Sequence, residues 1–128
     1  MDKVCSEIKG DYAMVPIESD LSVIEYQAFS MAQAGIHLDQ SRIGERDPMR
    51  LAAALENNLQ VWVEIGALVR SQESRLAENV RDNLLKLRDF VCDMTMKHGV
   101  EIPDTSLNTL ININLQISEG LLEGAKHK

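Results

Sequence analysis

Long apolar runs are missing from this chain. No stretch approaches the roughly 20 residues that a membrane span requires, and no signal-peptide pattern opens the sequence. Both absences point to the cytoplasm. Cysteine is scarce: only Cys5 and Cys92 are present. The expectation is two free thiols in a reducing compartment, with a Cys5–Cys92 disulfide as the alternative. Positive charge is outweighed, 13 Lys and Arg against 20 Asp and Glu, for a net charge of −7. That sign repels phosphate backbones, and no basic patch offsets it, so direct contact with nucleic acid is not expected. Strand-like alternation, internal repeats and low-complexity stretches are also lacking.

Helical spacing is what the sequence does have. Residues 1–18, interrupted by Gly10 and Pro16, show no clean period and read as a flexible or loosely docked arm, with a short extended piece at Tyr12–Val15. A first helix is expected over about 20–38, capped by Ser19 or Asp20 and carrying Ile24, Ala28, Met31 and Leu38 on its stripe. Val23, Tyr26 and Phe29 lie off that stripe, and Gly35 reads as a point where the helix loosens or ends. Asp47 and Pro48 open a second helix over about 48–71, with Leu51, Leu55, Trp62, Ile65 and Val69 on one face.

Ser74 is the expected cap of a third helix, about 75–98. Its stripe is Leu76, Val80, Leu84, Leu87, Phe90, Val91 and Met94, and Gly99 ends it. A fourth helix follows Asp104 or Thr105 and runs over about 105–123, with Leu107, Leu110, Ile111, Ile117 and Leu121 together. The reading is all-α: a single-domain bundle of about four helices over residues 19–124, short links making neighbours antiparallel. Trp62, Leu87, Phe90, Leu110, Ile111, Ile117 and Leu121 are the expected core.

Three asparagines interrupt these stripes. Asn114, with Ser118 beside it, falls in the middle of the apolar arc of the fourth helix; Asn58 and Asn83 do the same on the second and third. An unpaired buried amide costs about 1–3 kcal/mol, so each needs a partner. Bonds among Asn58, Asn83, Asn114 and Ser118, or to backbone groups, would form a polar core that sets register. The third helix also carries surplus grease: Leu85, Cys92 and Met96 lie opposite its main stripe. They read either as burial of a central helix on two sides or as a strip for a partner helix or a second copy of the chain.

Chemistry is sparse. None of His37, His98 and His127 has a second histidine or a cysteine at ligand spacing, so no metal and no other cofactor is expected. No nucleophile elbow or phosphate-cradling loop appears, and the carboxylates fall on solvent faces, so no catalytic residue is assigned. A histidine phosphotransfer module built on His37 is the enzyme-like alternative, without the lysine and small residue that usually follow the histidine in such modules.

The residues Asn58-Leu59-Gln60-Val61-Trp62, then Met94-Thr95-Met96 after Phe90, then Leu110-Ile111-Asn112-Ile113-Asn114 with Ile117, Gly120 and Leu121 resemble the flagellar biosynthesis regulator FlaF family. The likeness covers about residues 51–122. Glu56 and Gln60 stand where that family usually has basic residues. The resemblance implies a cytoplasmic, non-enzymatic factor that binds flagellin and supports its synthesis and secretion, like an export chaperone, in balance with FlbT. On this reading Leu85, Cys92 and Met96 are the candidate contacts. The alternative is a post-transcriptional regulator acting on flagellin mRNA or its translation complex.

Overall fold

The structure is a computed structural model that describes residues 19–71 and 76–126. Four helices follow one another: α1 Ser19–Gln40, α2 Pro48–Arg70, α3 Glu78–His98 and α4 Asp104–Lys126, with a 3-10 turn at Gly99–Glu101. No strand occurs among the described residues. The all-α expectation holds. The arm at 1–18 with Cys5, the side chains of Ser19 and Asp20, and Ser74 in the 72–75 link lie outside the described residues.

Local chemistry explains the helix ends. Asp47 is extended and its carboxylate accepts from the Met49 N–H at 3.0 Å, while Pro48 occupies a position whose N–H has no helical partner anyway. At the far end of α1, the Ser41 hydroxyl donates to the Leu38 carbonyl at 2.7 Å. Gly44 then supplies the left-handed φ of 75° that turns the chain. Gly99, at φ 56°, closes α3 by donating its N–H to the Thr95 carbonyl. Helix α3 begins at Glu78, three residues later than expected from the sequence, after an extended Ala77 that makes no side-chain cap.

The helices pack in the order α4 on α1, α1 on α2, α2 on α3. At one end Arg46 staples the two loops together: its guanidinium donates to the Ile102 carbonyl and sits 3.7 Å from the Asp104 carboxylate. Ile102 is fully buried beneath it. The core is built on Met31, Leu38, Leu51, Trp62, Ile65 and Leu110.

Of the expected core, Trp62, Leu110, Ile111 and Leu121 are buried, and Leu87 and Ile117 are half-buried against the same cluster. Phe90 is not core: it is 41% exposed. The cause is the position of α3. This helix packs chiefly along α2, and one neighbour covers only a narrow stripe, here Leu84, Val91 and Thr95. Phe90 lies one residue, about 100°, off that stripe. Gly35 does not end α1. It is buried mid-helix, where a Cβ would stand 3.3 Å from the Cβ of Asn114, so its missing side chain lets α4 approach closely.

Candidate partner-binding groove

Asn114 is the centre of a buried polar knot. Its amide nitrogen donates to the Met31 carbonyl of α1 at 3.0 Å and to Oδ1 of Asn58 on α2 at 2.7 Å. Its Oδ1 accepts from the Trp62 indole N–H at 3.0 Å. One turn on, the Ser118 hydroxyl donates to the Ala28 carbonyl at 2.6 Å. Helical carbonyls keep a second lone pair after their own helix bond, and Met31 and Ala28 offer theirs to α4. Asn58, Asn114 and Ser118 thus form the polar core that the helical wheel indicates, and they lock α1, α2 and α4 in one register.

Asn83 is not a member. It is exposed on α3, on the flank where no neighbouring helix covers the surface. Trp62, placed in the core by its apolar stripe alone, proves to be a donor in the knot. No periodicity signals that pairing, because a wheel shows which side a residue faces but not which residue it meets.

The open side of the bundle lies between α3 and α4. There the two helices flank a groove of about 270 Å³. Its floor is Ile24 of α1, Leu84 of α3 and Leu121 of α4; Leu76, Val80 and Ile117 form the walls. Gly120 and Gly124, one turn apart, lower the α4 rim, and a Cβ at either would meet nothing within 4 Å. The lining is apolar apart from backbone. Leu76, Val80 and Leu84 belong to the main stripe of the third helix, so much of the apolar surface expected to be core faces this groove instead.

The structure does not bring Leu85, Cys92 and Met96 into one open strip. Leu85 is half-buried against the core, Cys92 is half-buried, and Met96 is 77% exposed. None of them lines the groove. Arg88, on the same flank, lies flat over Gly66 of α2, within 2.9 Å of where a Cβ would stand, and pairs with Asp89 at 2.8 Å. Burial pushes the Cys92 thiol above its ordinary range; the Arg88 guanidinium pulls it down, and Asp89 and Asp93 push it up.

A second cleft, of about 350 Å³, lies at the α1–α2 turn and includes His37, Gln40, Arg50 and Asn57. The Arg50 guanidinium there is occupied by the carbonyls of Ser41, Ile43 and Glu45. Among the described residues, no three His, Cys, Asp or Glu side chains converge in a way that could hold a metal ion. No described helix is long and apolar enough to cross a membrane.

Comparison with curated proteins and with solved structures gave no match. The family model described as flagellar protein FlaF matches residues 17–121, which takes in α1 to α3, most of α4, the polar knot and nearly all of the groove. The chain belongs to the FlaF family of flagellar proteins.

Proposed function

We propose that this FlaF protein is a non-enzymatic cytoplasmic factor that binds flagellin and supports its synthesis and secretion in the manner of an export chaperone, in balance with FlbT. The observation that carries the reading is the apolar groove between α3 and α4. Two roughly antiparallel walls with an apolar floor suit an amphipathic helix, whose apolar side chains would enter as anchors. The lowered rim at Gly120 and Gly124 leaves room for the backbone of such a helix to come close. Flagellin's terminal segments are amphipathic and prone to self-association when free, so covering one would keep it competent for export.

The test is a binding titration with purified flagellin. Val80→Glu and Gly120→Glu place charge on the wall and rim without touching the buried core, since Val80 is 37% exposed and Gly120 faces open space. Each is expected to weaken binding at least tenfold, about 1.4 kcal/mol. Met96→Asp, on the other flank of α3, should bind like the wild type. Folded groove variants that bind unchanged, while Met96→Asp fails, would move the contact to the strip of Leu85, Cys92 and Met96.

A further inference from the structure

We propose that the outward face of α1 is the interface of a two-fold homodimer, in which α1 packs antiparallel on α1 of a second copy and Tyr26 of each copy enters the cleft at the other's α1–α2 turn. Helix α1 lies between α4 and α2, and Met31 marks the middle of its buried side. Tyr26, Phe29, Gln33 and Ile36 all fall within about 40° of the point opposite Met31. They follow one another at intervals of three, four and three residues, the spacing of a seam between paired helices. Tyr26 and Phe29 are 62% and 60% exposed and Ile36 is 49% exposed. From Tyr26 to Leu38 there is no Asp, Glu, Lys or Arg. The outer face of α3, by contrast, carries Asp82, Lys86, Asp89, Asp93 and Lys97, as a face left to water usually does.

The apolar face of α1 continues onto α4. Leu115 is 41% exposed, and its Cδ2 lies 3.6 Å from where a Cβ on Gly35 would stand. Aromatic side chains of about 150–250 Å² at this exposure, with Ile36 and Leu115, put roughly 400 Å² of apolar surface on the face. Two copies with their polar flanks reach roughly 1,000 Å², the low end of specific interfaces, so the dimer is reversible.

The occupant is a second copy because the face complements itself. Tyr26 and Gln40 lie seven residues, about 10 Å, on either side of Gln33. A two-fold axis in the interface at Gln33, perpendicular to α1, therefore sets Tyr26 of each copy over Gln40 of the other and Phe29 beside Ile36. Gln33 meets its own counterpart, and an amide both donates and accepts. Gln40 and His37 border the cleft of about 350 Å³, which Ala53 and Asn57 of α2 also line. An apolar wall with polar groups at hand suits a phenol ring and its hydroxyl. Glu25 meets the Asp39–Arg42 pair of the other copy, in which the Arg42 guanidinium, 2.9 Å away, already neutralises the carboxylate.

The test is sedimentation of the full chain from about 1 µM to about 500 µM, a range that brackets a micromolar Kd. A monomer–dimer equilibrium is expected, and it should tighten with added salt, since two copies of net charge −7 repel each other. Phe29→Asp and Tyr26→Asp, folded by circular dichroism, should weaken it at least tenfold, while Val63→Asp and Val80→Glu leave it unchanged. In a Cys5→Ser, Cys92→Ser background, Gln33→Cys should cross-link to its own copy under mild oxidation. Tyr26→Cys should not, because the two-fold holds the Tyr26 positions about 20 Å apart. A monomer throughout would overturn the proposal, as would a dimer that Val80→Glu breaks and Phe29→Asp spares. Efficient Tyr26→Cys cross-linking would mean parallel packing and would overturn the Tyr26–cleft contact.

Discussion

Replacing Asn114 with leucine is the sharpest test of the polar knot. The substitution keeps the branching of the side chain at Cγ, adds bulk, and removes three hydrogen bonds at once. The Met31 carbonyl keeps its helical bond, so it loses little. The Trp62 N–H and Asn58 Oδ1 are left buried and unpaired, since Trp62 and Asn58 are both fully buried. At about 1–3 kcal/mol for each stranded group, the loss is about 2–6 kcal/mol. A domain of this size has about 5–15 kcal/mol in total. With a urea slope of roughly 2 kcal/mol per molar, a 4 kcal/mol loss moves the unfolding midpoint by about 2 M.

Trp62→Phe removes the donor and strands Asn114 Oδ1. The double variant has neither an indole N–H nor an Asn114 Oδ1 to strand, so its loss should fall short of the sum of the single losses by about 2–6 kcal/mol. Urea unfolding followed by far-UV circular dichroism measures all four proteins, including those without the fluorophore. Losses that add to within about 0.5 kcal/mol would refute the coupling. An Asn114→Leu protein more stable than the wild type would refute the knot as a stabilising element altogether.

Three further outcomes follow from the same geometry. Ser118→Ala removes the bond to the Ala28 carbonyl and should cost about 0.5–1.5 kcal/mol in urea unfolding. Gly35→Val should cost about 1–3 kcal/mol by thermal or urea unfolding, because its Cβ would stand 3.3 Å from the Asn114 Cβ and its methyls would push α4 away from α1. Cys92 should be alkylated more slowly at neutral pH than a peptide thiol, with its rate rising only above the ordinary thiol range of about 8.5, as read by mass spectrometry of its peptide. The sign is that of a raised pKa: folding favours the protonated thiol, so its contribution is complete at neutral pH and fades as pH climbs through the raised value.

Periodicity carried the fold a long way. Asp47-Pro48 and Gly99 marked their helix ends because caps act locally, through one side chain or one φ angle. Asn58, Asn114 and Ser118 stood out because a polar residue in the centre of a narrow stripe has nowhere to go but inward. The stripe of α3 was different. Leu76, Val80, Leu87, Phe90 and Met94 make it too broad for one neighbour to cover, and nothing in its own sequence says which edge stays open. Its wheel therefore puts Phe90 and Asn83, both on the edge facing away from α2, inside, and points to Leu85, Cys92 and Met96 for the surplus apolar surface. Contacts between helices settle that choice, and they depend on Gly35, Gly66 and the Arg46 staple, none of which alters a hydrophobic period.

The two walls of the groove differ in how firmly they are held, and that difference bears on how it could admit a partner. Helix α4 is locked to α1 and α2 by Asn114 and Ser118 as well as by apolar packing. Helix α3 buries only Leu84, Val91 and Thr95, and the Thr95 hydroxyl bonds within its own helix, to the Val91 carbonyl at 2.7 Å. Few buried contacts mean a low free energy of local opening. Native-state hydrogen exchange should therefore show α3 amides exchanging well before those of α1 and α4, by at least tenfold. A partner in the groove would bridge both walls and should raise protection along α3 more than along α4. Equal protection of the two helices in the free protein would mean that both walls are fixed, and the groove would then have to accept its helix without adjusting its width.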